Sequence, residues 1–300
     1  MSQHPFARDM YAGIAGLDLQ GKTHDFGEGV VLRPTFAHLF GTFMVAFSPA
    51  EPGKAHPVPW KAAHSGFAAD VTAELYVPQS TMKLAQVDRG DLIQVVAAML
   101  RFWVTPTVLI PILSNVPIEK AKEMKSDEAF LLAHESRGFD VPIDRTGKIS
   151  HGDLDWVLDY WKVAFKLTQD DMPFRAALFT LDRFQFVRER PLALISFWAA
   201  LEGLFLKDAA ELRFRLAAYL ASYLEEPGEN RIERFKAVLK LYDHRSKAAH
   251  GQPKNDPQAL GESYMLLRDV IVKIIEANHV PTKTELERRL FAFPLPAGDT

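Results

Sequence analysis

An arginine and a histidine five residues apart, Arg245 and His250, close the run NRIERFKAVLKLYDHRSKAAHG. Histidine titrates near neutrality, which suits general acid–base work. Arginine stays charged and can bind two phosphate oxygens at once. Cleaving RNA without a metal requires both: a base for the 2′-hydroxyl and a cation for the charge that builds on the phosphorane. The spacing limits how one chain could present them. Five residues of α-helix turn through about 500°, which leaves the two side chains about 140° apart. One straight helix cannot aim both at a single phosphate. The pair works if the helix ends before His250, as Gly251 suggests, or if a second copy completes the site.

Each of these residues also has a purely structural explanation. Asn230 with Glu233 three positions on resembles a capping box. Gly251 is placed as a C′ residue, and Pro253 would stop the helix resuming. Arg245, Lys247 and His250 sit where cations favour a helix C-terminus.

The helices upstream add a second signal. LDRFQFVRERPLALISFWAALEGLF, then ELRFRLAAYLASYL, then RIERFKAVLKLYDHRSKAAHG resembles the Apea-like branch of the HEPN domains. A W-x-A-L-E-x-L-F helix, here Trp198, Ala200, Leu201, Glu202, Leu204 and Phe205, precedes Y-x-x-R-S-x-x-x-H-G, here Tyr242, Arg245, Ser246, His250 and Gly251. The resemblance spans about residues 153–280. It implies a helical bundle that dimerises across a two-fold axis. In active relatives the Arg and His of both subunits form a metal-independent endoribonuclease site, often toxin-like or defensive. The polar residue after the Arg, Ser246 here, assists. Other HEPN domains lack cleavage activity and bind nucleotides, nucleic acid or proteins instead. The reading calls for no cofactor and no metal. Its partners are RNA and a second copy of the chain.

Local charge agrees with a polyanion at this place. Residues 231–247 carry Arg231, Arg234, Lys236, Lys240, Arg245 and Lys247 against Glu233 and Asp243, a net +4 within a chain whose total is −3. Arg231, Arg234, Lys236, Lys240 and Lys247 are therefore candidates to track a phosphate backbone. The alternative is a solvated helix face. Glu202 interrupts an apolar helix and needs a partner, either a structural arginine or the catalytic one. His244 has no motif behind it and reads as surface.

Other chemistries lack their signatures. His151, Asp153 and Asp155 are better explained by N-capping at Ser150 or Asp153 than as metal ligands. The glycines of HDFGEGVV lack the spacing of a P-loop or a dinucleotide fingerprint. No G-x-S-x-G elbow occurs. The absence of cysteine rules out disulfides and thiolate sites and fits a reducing cytoplasm. The N-terminus has no signal-peptide core.

The elements that must carry this site divide the chain in two. With 48% apolar and 24% charged residues, the 300-residue chain has material for a sizeable core. VVLRPTF, GTFMVAF and FAADVTAELYV read as strands, and SPAEPGKAHPVPWKAAHSG as an irregular loop. GDLIQVVAAMLRFW reads as a helix capped by Asp91. PTVLIPIL reads as a buried strand whose prolines favour a sheet edge. The apolar run 95–113 is thus a buried helix and strand rather than a membrane span. Turn signals at PIDRTGKISHG separate a mixed, β-rich domain (1–150) from an all-α, HEPN-like bundle of five or six helices (151–300), an α+β chain overall. The first domain would sense a regulatory ligand or protein, or select the RNA. The tail TKTELERRLFAFPLPAGDT offers a short capped helix and then an apolar, proline-broken end, which docks on its own bundle or, as the alternative, on a partner.

Overall fold

A computed structural model of the chain describes residues 9–41, 44–63, 68–81, 88–125, 128–136, 151–206, 212–249 and 256–292, without the side chains of 151–153. The chain forms two compact units, Met1–Ile93 with Thr107–Arg137, and Gln94–Pro106 with Gly138–Thr300.

The first unit is built on an antiparallel sheet of strands β1 (Met10–Ala15), β2 (His24–Gly27), β3 (Val30–Leu39), β6 (Ala69–Val77), β7 (Leu109–Ser114) and β8 (Leu131–Ala133), in the order β2-β3-β6-β1-β7-β8. Every residue of β1 is buried, as befits a strand paired on both sides to β6 and β7. Gly13 in its middle is required by space. A Cβ there would lie 2.7 Å from Ile112 and 2.8 Å from Ile118, the first residue of the short helix α2 (Ile118–Ala121). Glu74 of β6, 1% exposed, accepts from Arg33 and from the Ile118 N–H, so the buried carboxylate is fully engaged.

Two expectations change here. β7 is an interior strand, not an edge. Its Pro111 faces the register shift between Gly13 and Ala15, and Pro34 of β3 begins another shift opposite β6. At such bulges a missing N–H removes no ladder bond, so proline is tolerated inside the sheet. The loop around residue 60 also contains a strand. β4 (Met44–Ala46) and β5 (Trp60–Ala62) pair as an exposed two-stranded ribbon, too short for its alternation to register against the prolines around it.

Helix α1 (Arg89–Met99) begins two residues before Asp91. The cap is Asp88, whose carboxylate accepts from the Gly90 N–H at 2.8 Å. The helix does not run on to Trp103 in α form. Residues Leu100–Val104 make a π turn closed by the Thr105 N–H on the Leu100 carbonyl at 2.9 Å.

The second unit is helical: α3 (His151–Asp170), α4 (Met172–Arg183), α5 (Arg190–Phe205), α6 (Leu212–Leu224), α7 (Glu229–Ala249), α8 (Pro257–Ala277) and α9 (Lys283–Leu290). Asp171 caps α4, Asp256 caps α8, and Thr282 with Glu285 forms a capping box on α9. α5 is apolar almost all round and packs against α4, α6, α7 and α8, the position such a helix must take. Trp161 and Phe165 of α3, Phe174 of α4, and Phe197 and Trp198 of α5 itself are fully buried, each contributing on the order of 2–3 kcal/mol. The α9 helix docks on its own bundle through buried Leu286 and through Arg231, which donates to the Arg289 carbonyl at 3.0 Å. α7 starts at Glu229, so Asn230 lies inside the first turn and does not cap it.

Candidate functional site

The W-x-A-L-E-x-L-F helix and the Y-x-x-R-S helix meet face to face as α5 and α7. Trp198, Leu201, Leu204 and Phe205 are buried, which turns the next exposed step of α5, Glu202, toward α7. Trp198 packs edge-on against the Tyr242 ring, with centroids 5.1 Å apart, and donates to Ser263 of α8 at 3.2 Å. This packing fixes the height at which the polar groups meet.

Three of the expected residues come together there. Tyr242 donates its hydroxyl to Glu202 at 3.0 Å. Arg245 reaches the same carboxylate through one Nη, 3.3 Å from one oxygen and 3.4 Å from the other, and lies 5.3 Å over the Tyr242 ring. Burial first, and then the Glu202 bond and charge, raises the Tyr242 hydroxyl above its ordinary range, so it stays a proton donor. Arg245 is 25% exposed and Glu202 20%. The Arg245 Nε is shielded from solvent and has no hydrogen-bond acceptor among the described residues. The guanidinium is held through one Nη and stays partly exposed, so its solvent-facing side, not the shielded Nε, can receive an anion such as a phosphate oxygen.

The other candidates divide. Ser246 is half-buried on α7, next to Arg245. His250 and Gly251 lie outside the described residues. α7 is continuous through Ala249, so it does not end ahead of residue 249. Arg231 is committed to the backbone carbonyls of Glu225 and Arg289, and Arg234 to the Glu225 carboxylate at 3.0 Å. Lys236, Lys240 and Lys247 are exposed. At 100° per residue they fall within about 40° of one another, on a stripe roughly 140–180° from Arg245. The lysines and Arg245 therefore occupy opposite faces of one helix. His244 is not simply surface: it is mostly buried and lies 3.3 Å from Asp256, the N-cap of α8, a partner that sequence spacing could not reveal.

Removing the charge at this junction separates its parts. Glu202→Gln keeps an acceptor for Tyr242 and should cost about 1 kcal/mol, whereas Glu202→Leu strands both donors and should cost about 2–3 kcal/mol. Urea unfolding measures both. Equal losses would mean that the acceptor kept for Tyr242 contributes nothing beyond the charge facing Arg245.

Among the described residues no group of three His, Asp or Glu side chains could hold a metal ion, and no helix is long and apolar enough to cross a membrane. No family model, curated protein or solved structure matches the chain.

Proposed function

We propose that the helical unit is a HEPN-type endoribonuclease module that acts as a homodimer without a metal. The observation that supports this most is the Glu202–Tyr242–Arg245 junction, in which a carboxylate from the W-x-A-L-E helix steadies the arginine of the Y-x-x-R-S helix and leaves its guanidinium partly exposed. In this reading Arg245 clamps the scissile phosphate and Ser246 adds a hydrogen bond. His250 takes the 2′-hydroxyl proton or gives one to the leaving oxygen. A site built from the Arg of one copy and the His of the other accommodates the spacing, since five residues on a continuous helix would separate the two side chains by about 140°. The first unit would select RNA or sense a trigger.

A second reading has its own support. Arg245 also acts as a strut between α5 and α7, and the exposed lysines lie across the helix from it. That suits a non-catalytic module that binds nucleic acid, nucleotide or a protein partner.

Complementation distinguishes a composite site. Arg245→Ala and His250→Ala chains, each inactive alone, are mixed, allowed to exchange subunits, and assayed for RNA cleavage. A shared site regains part of the wild-type rate in the mixed dimers. No recovery, or a strictly monomeric chain by light scattering, would overturn the composite arrangement.

A further inference from the structure

A groove with chemistry of its own lies away from Arg245. α7, α8 and the segment 101–106 enclose a groove of about 910 Å³, within the size range of small-molecule sites. Along α8 it runs from Pro257 to Arg268, about 16 Å of helix. Its walls are mainly aliphatic: Val104, Pro106, Val238, Leu241 and Met265 all line it. Of the rings that line it, Phe102 and Tyr264 are buried, 5% and 4% exposed, and Trp103 is already occupied. Trp156 stacks on it at 4.3 Å and the Arg268 guanidinium lies over it at 4.9 Å. Two groups at such distances cannot share a face, so a nucleobase finds no open surface there.

One end of the groove is cationic. Arg268 is anchored by its Nε to the Phe102 carbonyl at 2.6 Å, a carbonyl presented by the π turn. Its four terminal N–H groups have no hydrogen-bond acceptor among the described residues. The nearest carboxylate oxygen, on Asp269, is 3.7 Å away. Burial raises the Asp269 carboxyl against the pull of Arg268 and Arg234, which weakens it as a competitor for the guanidinium. Arg234 lines the groove too, paired to Glu225 through its Nε and one Nη. The lining carboxylate Glu262, six residues before Arg268 on α8, accepts from Gln258 at 2.7 Å. π turns inside helices recur at functional sites, and this one builds the wall that orients the arginine.

We infer that the groove binds an aliphatic chain with a single anionic head, a carboxylate or a phosphate, the head on Arg268 and the chain along Val104, Leu241 and Met265. The inference does not depend on the ribonuclease reading.

Calorimetric titration of the full chain with decanoate, decyl phosphate, decanol and inorganic phosphate, all below the concentrations at which amphiphiles aggregate, tests it. Decanoate or decyl phosphate is expected to bind one per chain, at least tenfold tighter than decanol or phosphate alone. Preference for decanoate identifies a free acid, and preference for decyl phosphate a phospholipid-like head. Arg268→Gln should weaken binding tenfold or more. Because Arg268 also tethers Phe102, Ala237→Glu is the control for folding: Ala237 is exposed on the α7 wall, and glutamate is a good helix former. It should also weaken binding tenfold with an unchanged melting temperature. Decanol binding as tightly as decanoate, wild-type affinity in Ala237→Glu, or no saturable binding would each overturn the inference.

Discussion

Asp182→Ala is expected to remove about 3–5 kcal/mol of stability from the helical unit, because it leaves a charge buried without its partner. Arg101 of the π turn and Asp182 of α4 are 3% and 0% exposed and 2.6 Å apart. The Arg101 guanidinium also lies 5.5 Å from the Phe186 ring. Gln185, with its amide turned to satisfy both neighbours, accepts from the Arg101 Nε at 3.0 Å and donates to the Pro106 carbonyl at 3.1 Å. The pair therefore pins residues 101–106 to α4 and holds the wall of the groove. Replacing both charges, Arg101→Met with Asp182→Leu, should cost much less than either single change, since burying two apolar side chains avoids the desolvation of both ions. Four of the five tryptophans, Trp103, Trp156, Trp161 and Trp198, belong to this unit, so urea unfolding followed by tryptophan fluorescence reports mainly on it. A loss below about 1 kcal/mol in Asp182→Ala would mean that water reaches the pair and that it does not hold the wall.

The helical half was the more legible from sequence, for physical reasons. α4, α8 and α9 carry apolar residues at three- and four-residue steps and begin on capping side chains, both local signals. The errors lie where local signals were overruled by partners distant in sequence. Pro111 argued for an edge strand because nothing local reveals the register shift in β1 that accommodates it. Asp91 was a plausible cap, but Asp88 reaches the Gly90 N–H first. The π turn at 100–104 has no composition of its own. The carbonyl that it presents at Phe102 is taken by Arg268, 166 residues later.

For the candidate site, Glu202 was legible as a carboxylate in an otherwise apolar helix, whereas Tyr242 and Arg245 stood out through the Y-x-x-R-S-x-x-x-H-G resemblance. A count of cations along the charge stripe does not reveal which face each one takes. Arg231 and Arg234 point toward carbonyls and a carboxylate of neighbouring segments, while the three lysines point to solvent. The Arg268 groove carried no motif. It is assembled from three segments that only the fold brings together.

The proposed chemistry stands or falls with His250. General acid–base catalysis contributes on the order of 10²–10⁴ in rate, and loss of the group that moves the proton should remove all of it. Arg245→Ala should be similarly severe, since the phosphate would lose its clamp. The most direct measurement is cleavage of a mixed cellular RNA pool in EDTA by the wild-type chain and by His250→Ala, with equal folding checked by circular dichroism. The account predicts fragments from the wild type and at least about a hundredfold fewer from the variant. Equal cleavage by both would contradict it and return YDHRSKAAHG to a well-placed helix end. An intact pool with both would leave Arg245 as the strut between α5 and α7.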